Sequence, residues 1–96
     1  MRLQVRADFR CYPIWREDDG LWLDIDPASL PISAELASEF DAWAAAYEAT
    51  FNEEYPPDSA FSSASEEQDF LATGRRLTAR LARELGGGVQ VEYAQA

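Results

Sequence analysis

The side chains of this chain that could do chemistry are almost all carboxylates. Of its 96 residues eighteen are Asp or Glu and eight are arginine, and neither histidine nor lysine occurs. There is therefore no Ser-His or Cys-His nucleophile pair, no imidazole metal ligand, and no Schiff-base or phosphate-cradling lysine. Asp24 and Asp26 stand two apart, a spacing that puts both carboxylates on one face of a strand, and Asp18 and Asp19 precede them. Such a set suits a hard divalent cation, but the fixed acid positions, central glycine and closing glutamate of an EF-hand loop are absent. Paired carboxylates also serve glycosidases, yet 96 residues leave little room for a sugar cleft. No catalytic residue, metal site or cofactor is expected, and the chain reads as a binding protein, not an enzyme.

The distribution of charge says more than its total. The net charge is −10, and residues 17 to 74 hold fifteen acids and no base, with four arginines before that run and four after it. Nucleic acid and anionic membrane carry the same sign and are not expected as direct ligands, so the natural complement is a basic protein. Tryptophans Trp15 and Trp22 bracket the acidic turn Glu17, Asp18 and Asp19, with Asp24 and Asp26 just beyond. Tyr55 likewise stands among Glu53, Glu54 and Asp58 in a proline-containing segment. Aromatic anchors among carboxylates suit a protein-binding surface, the rings supplying desolvated area while the acids steer a cationic partner. These eleven residues form the candidate partner surface. A plainer reading of the same features is a solvated acidic face, with tryptophans covering the end of a small core. Arg76, Arg80 and Arg83 share one helix face, but their place in the last turns, opposite Glu66, Glu67 and Asp69 in the first, is the arrangement that the helix dipole favours.

These residues need a scaffold, and the length suits one small domain spanning residues 1–96. Leu3, Val5, Ala7 and Phe9 alternate with polar residues, which predicts a half-buried strand running to Arg10. The Asp19-Gly20 pair signals a turn, and a second strand follows with Leu21, Leu23 and Ile25 facing in and Trp22, Asp24 and Asp26 facing out. After Pro27 and Pro31, Ser33 caps a helix from Ala34 to Phe51 striped by Leu36, Phe40, Trp43 and Tyr47. Its Ala42, Ala45, Ala46 and Ala49 make a flat outer face. A Ser63/Glu66 or Ser65/Gln68 box opens a second helix through Phe70, Gly74, Leu77, Leu81 and Leu85 to the Gly86-Gly87-Gly88 stop. Gly74 costs helix propensity, so close backbone packing is expected there. Val89, Val91 and Tyr93 face in from a last strand. The order β-β-α-α-β predicts an α+β two-layer sandwich with both helices on one face of a short sheet. Gln4, Arg6, Asp8, Arg10, Gln90 and Glu92 are expected on the open face.

Met1 to Phe9 builds no apolar run, so neither a signal peptide nor a membrane span is expected, and the lone Cys11 fits a reducing, cytoplasmic setting. The segments Pro13-Ile14-Trp15, Leu23-Asp24-Ile25-Asp26-Pro27, Leu30-Pro31-Ile32-Ser33, Phe40-Asp41-Ala42-Trp43 and Gly74-Arg75-Arg76-Leu77 to Glu84-Leu85 resemble a family of short acidic bacterial proteins of the kind that act as immunity proteins in toxin systems. Those motifs are structural and carry over no site residues. The resemblance implies an immunity or antitoxin-type inhibitor that occludes a basic partner such as a nuclease toxin domain, as a monomer or weak homodimer. Two other classes share the composition. One is a nucleic-acid mimic acting on a DNA-binding or defence protein; the other is a structural or oligomeric domain meeting its own copy through the alanine face.

Overall fold

A computed structural model describes residues 1–95. Four strands, β1 (Arg2–Val5), β2 (Ile14–Asp18), β3 (Leu21–Ile25) and β4 (Gln90–Tyr93), form one sheet in the order β3-β2-β1-β4. Two helices, α1 (Ala34–Glu48) and α2 (Ala64–Leu85), cover one face of it. The α+β two-layer architecture is the expected one, with one more strand than the sequence reading found.

The extra strand is β2. Its Arg16, Glu17 and Asp18 suggest a turn, yet Ile14 is fully buried and the strand pairs on both sides, with Leu3 opposite Arg16 and Val5 opposite Ile14. The turn is tighter than that reading implied. Only Asp19 and Gly20 lie between β2 and β3, with φ of 52° and 83°, the positive pair that a type I′ hairpin requires and that Asp-Gly supplies. β1 is shorter than its alternation suggests and stops at Val5. The Arg6 amide still bonds to the Pro13 carbonyl at 2.9 Å, but the chain then turns at Arg10, whose φ is 60°. Phe9 leaves the ladder and packs against Tyr47 and Phe51, ring centroids 4.7 and 5.0 Å away. β4 runs parallel to β1, which brings Glu92 beside Gln4 and Tyr93 beside Val5.

Ser33 caps α1 by accepting from the Leu36 amide at 3.1 Å, and Ser63 caps α2 by accepting from the Glu66 amide at 3.1 Å. α1 ends at Glu48, short of Phe51. The core lies between the layers. Leu3, Val5 and Ile14 of the sheet meet Leu36, Phe40, Leu77 and Leu81 of the helices, all fully buried. Each such side chain contributes about 1.5–3 kcal/mol of transfer free energy. Trp43 stacks on Phe70 at 4.6 Å with planes 4° apart, and its indole N–H donates to the Phe70 carbonyl at 2.9 Å. Gly74 is what permits this closeness. A Cβ there would sit 2.5 Å from the Trp43 ring and 2.6 Å from that of Tyr93, so the packing expected for this glycine involves both the first helix and the sheet.

Candidate functional site

The open face of the sheet is a grid set by strand register. One row runs Gln90, Arg2, Glu17, Trp22 and the next runs Glu92, Gln4, Trp15, Asp24. Arg2 donates to Glu17 at 2.6 Å, and its guanidinium lies 5.4 Å from the Trp22 ring centroid. Arg6 stacks over Trp15 at 4.1 Å, while the Trp15 indole donates to the Arg6 carbonyl at 2.9 Å. Gln4 donates to Glu92 at 2.9 Å. Trp15, Trp22, Glu17 and Asp24 thus share one face, but Glu17 is neutralised by Arg2 and Asp24 accepts from the Tyr12 amide at 2.8 Å. Asp26 also has a local role: it caps the short turn Pro27–Ser29 through the Ala28 amide at 3.0 Å.

The end of the β2-β3 hairpin is different. Asp18 and Asp19 are exposed and belong to no ion pair among the described residues. Leu21 and Leu23, expected in the core, are 67% and 48% exposed. They do point to the helix side of the sheet, as their alternation requires, since Leu23 pairs with Arg16 and Ile14 with Ile25. The hairpin reaches beyond the helix layer, so only its Ile14/Ile25 end is covered. A signal for this stands in the sequence. Arg16 and Asp18 share a face with Leu23 and Leu21, and two charged neighbours on that face mark an uncovered end. β3 is also an edge strand. In a hairpin closed by two residues, Asp18 and Leu21 form the first hydrogen-bonded pair, which leaves the Trp22 and Asp24 amides and carbonyls directed to the free edge.

The second group of sequence candidates lies elsewhere. The loop after α1 folds on itself: Asn52 accepts from the Glu54 and Tyr55 amides at 3.0 Å, and the short turn Pro56–Asp58 presents Tyr55 at 58% exposure with Glu53, Glu54 and Asp58 exposed around it. Glu48, at the end of α1, accepts from the Arg10 amide beyond the end of β1, whereas the hairpin turn lies past the start of β1, where Arg2 meets Glu17. The loop therefore lies at the opposite end of the sheet from Asp18 and Asp19, whereas Asp24 and Asp26, next to Ile25 and so level with the Val5 end of β1, stand toward the same end as the loop.

Other acids of the base-free run are bound up where the helices meet. Arg80 bonds Glu39 at 2.6 Å, Glu84 at 3.2 Å and Glu35 at 3.4 Å, and Arg76 reaches Glu39 at 3.4 Å. Glu84 also accepts from the Ser33 amide at 2.7 Å and its hydroxyl at 3.1 Å. The Ser33 amide does most to hold the Glu84 carboxyl below its ordinary value; desolvation opposes it, and the Ser33 hydroxyl and Arg80 add to the lowering. Desolvation alone would lower the Arg80 value, but the Glu84 hydrogen bond and the Glu35 and Glu39 charges outweigh it and keep the guanidinium protonated. Arg76 and Arg80 of α2 are thus clamps to α1. Among the described residues no three His, Cys, Asp or Glu side chains are placed to share a metal ion, and no helix is long and apolar enough to cross a membrane.

Comparison with known proteins adds one finding. Over residues 1–96 the chain matches the model of a family described as Serratia CdiI immunity protein-like. A search of curated proteins gives no match.

Proposed function

This chain belongs to the Serratia CdiI immunity protein-like family, and from that premise we propose that it neutralises a toxin domain by covering a basic cleft with the end of the β2-β3 hairpin. The observation that carries this reading is the contrast at that end: Asp18 and Asp19 without ion-pair partners among the described residues, beside exposed Leu21 and Leu23. Carboxylates free of internal partners lose little on meeting an external cation, whereas Glu39 or Glu84 would first have to give up bonds it already holds. The leucines, with the half-buried Trp22, supply the apolar area that holds a complex once charge has steered it together. A cleft that receives phosphates has the matching sign, so a nuclease is the toxin class we favour. Glu53, Glu54, Tyr55 and Asp58 make a flanking contact at the far end of the sheet, used by a partner broad enough to reach it. The protein acts by binding, with no bond made or broken.

The test uses the product of the neighbouring reading frame as an inactivated toxin domain and measures association kinetics across salt. Asp18→Lys combined with Asp19→Asn changes the charge while retaining a residue that accepts positive φ at the turn. We expect an on-rate at least about tenfold lower, with a flatter salt dependence. If the unmodified protein keeps its on-rate at about 0.5 M salt, where screening acts beyond about 4 Å, electrostatic occlusion is the wrong account. A toxin without a polyanionic substrate would overturn the nuclease assignment while leaving the hairpin to be judged by its own variants.

A further inference from the structure

The outer side of the helix layer carries a groove that neither the core nor the hairpin end uses. It is about 580 Å³ in volume and open to solvent. Its α1 wall is Ala42, Ala46 and Ala49, spaced four and three apart on one helix face and all exposed. Its floor is aromatic, formed by Trp43, Phe61 and Phe70. The groove has a physical cause. Gly74 lets α2 close onto Trp43, but toward the end of α1 the alanine methyls raise no ridge to fill the space between the helices. A row of small residues beside a wall of rings is shaped to receive the ridge of another helix.

The rim gives the sign of that helix. Glu39, Glu66 and Asp69 line it against a single cation, Arg76, which Glu39 already holds at 3.4 Å. Asp69 belongs to no ion pair among the described residues, and the Glu66 carboxylate accepts only from the hydroxyl of its neighbour Ser62 among them. A second copy of the chain would bring the same carboxylates and a further net charge of −10 to the contact, which opposes the homodimer through the alanine face. We propose that the α1–α2 groove docks a cationic amphipathic helix of a protein partner. Its apolar side chains lie over Ala42, Ala46 and Ala49, and its Lys or Arg side chains meet Glu66 and Asp69. This surface is distinct from the hairpin end and does not depend on the toxin reading.

A synthetic amphipathic peptide of leucine and lysine, about eighteen residues or five helical turns, is the probe. It is titrated into the isotopically labelled protein, and amide shifts are followed by NMR. The expected changes centre on Ala42, Ala46, Ala49, Asp69 and Thr73. Ala46→Gln fills the groove without altering charge and weakens binding by about tenfold or more, equivalent to about 1.4 kcal/mol. Ala45→Gln changes an exposed alanine outside the groove and leaves binding unchanged, and Glu66→Gln with Asp69→Asn weakens it. Equal binding by the two glutamine variants overturns the proposal, as does a shift pattern spread over the hairpin and the α1–α2 loop. Groove shifts that grow with protein concentration in the absence of peptide would make a second copy the occupant, and would also overturn it.

Discussion

The helix junction and the hairpin end use the same residue types to opposite effect. At the junction Glu35, Glu39 and Glu84 surround Arg80, Arg76 joins them, and Ser33 closes the set through its amide and hydroxyl. At the hairpin end Asp18 and Asp19 have no such partner among the described residues, and the leucines next to them are uncovered. Both regions fall within the acidic stretch of the sequence or beside it. The difference teaches that a run of acids is not one surface: part of it is spent on holding two helices together, and only the remainder is free for a partner.

If that division is right, substitutions in the packed helix region should cost stability and those at the hairpin should not. The largest effect is expected at Gly74. Alanine there gains about 1 kcal/mol of helix propensity, but the buried Trp43 ring and the half-buried Tyr93 ring, 2.5 and 2.6 Å from the new methyl, must move. Overpacking of this kind costs about 1–3 kcal/mol, so Gly74→Ala should show a net loss of about 1–2 kcal/mol in denaturant unfolding. A stability equal to or above that of the unmodified protein would mean that the helices close less tightly than described.

Next comes the junction itself. Ser33→Ala removes both the cap on the Leu36 amide and a hydroxyl donor to Glu84, and should cost about 1 kcal/mol. The pH dependence sharpens the same point. The Glu84 carboxyl is held below the ordinary glutamate value of 4.5, so its contribution is fully present above that value and is lost as pH falls through the lower folded-state value. Glu84→Gln should therefore flatten the acid limb of a stability-versus-pH curve measured by thermal melting. An unchanged acid limb would place the acid sensitivity in other carboxylates and weaken the contrast. The smallest effect belongs to the hairpin. Leu21→Ser, at a side chain 67% exposed, should change stability by no more than about 0.5 kcal/mol. A loss above 1 kcal/mol on the same measurement would show that the hairpin end is part of the core after all.

Much of the fold was legible because it rests on local rules. Ser33 and Ser63 cap the helices, the 3.6-residue stripe puts Leu36, Phe40 and Trp43 inside, and Asp19-Gly20 makes the turn. What escaped was decided by neighbours distant in sequence. β2 looks like a charged turn until Arg2 is there to pair with Glu17 and Arg6 to stack on Trp15. Phe9 continues the strand alternation on paper, yet Tyr47 and Phe51 draw it into an aromatic cluster. The candidate surface was legible in the same uneven way. Trp15, Glu17, Trp22 and Asp24 do share a face, while Glu53, Glu54, Tyr55 and Asp58 lie apart from it, in the loop after α1.

The sequence by itself determined the absence of histidine and lysine chemistry, the acidic balance, the periodicity of every helix and of three strands, and which face each side chain takes along its own element. Those are properties of composition and of backbone geometry, which need no partner to be read. The tertiary structure decided which carboxylates are already occupied and which leucines are covered. Both depend on how far one element extends past another, and that is set by packing between residues such as Ser33 and Glu84 or Gly74 and Trp43, far apart in the chain and in contact only in the fold.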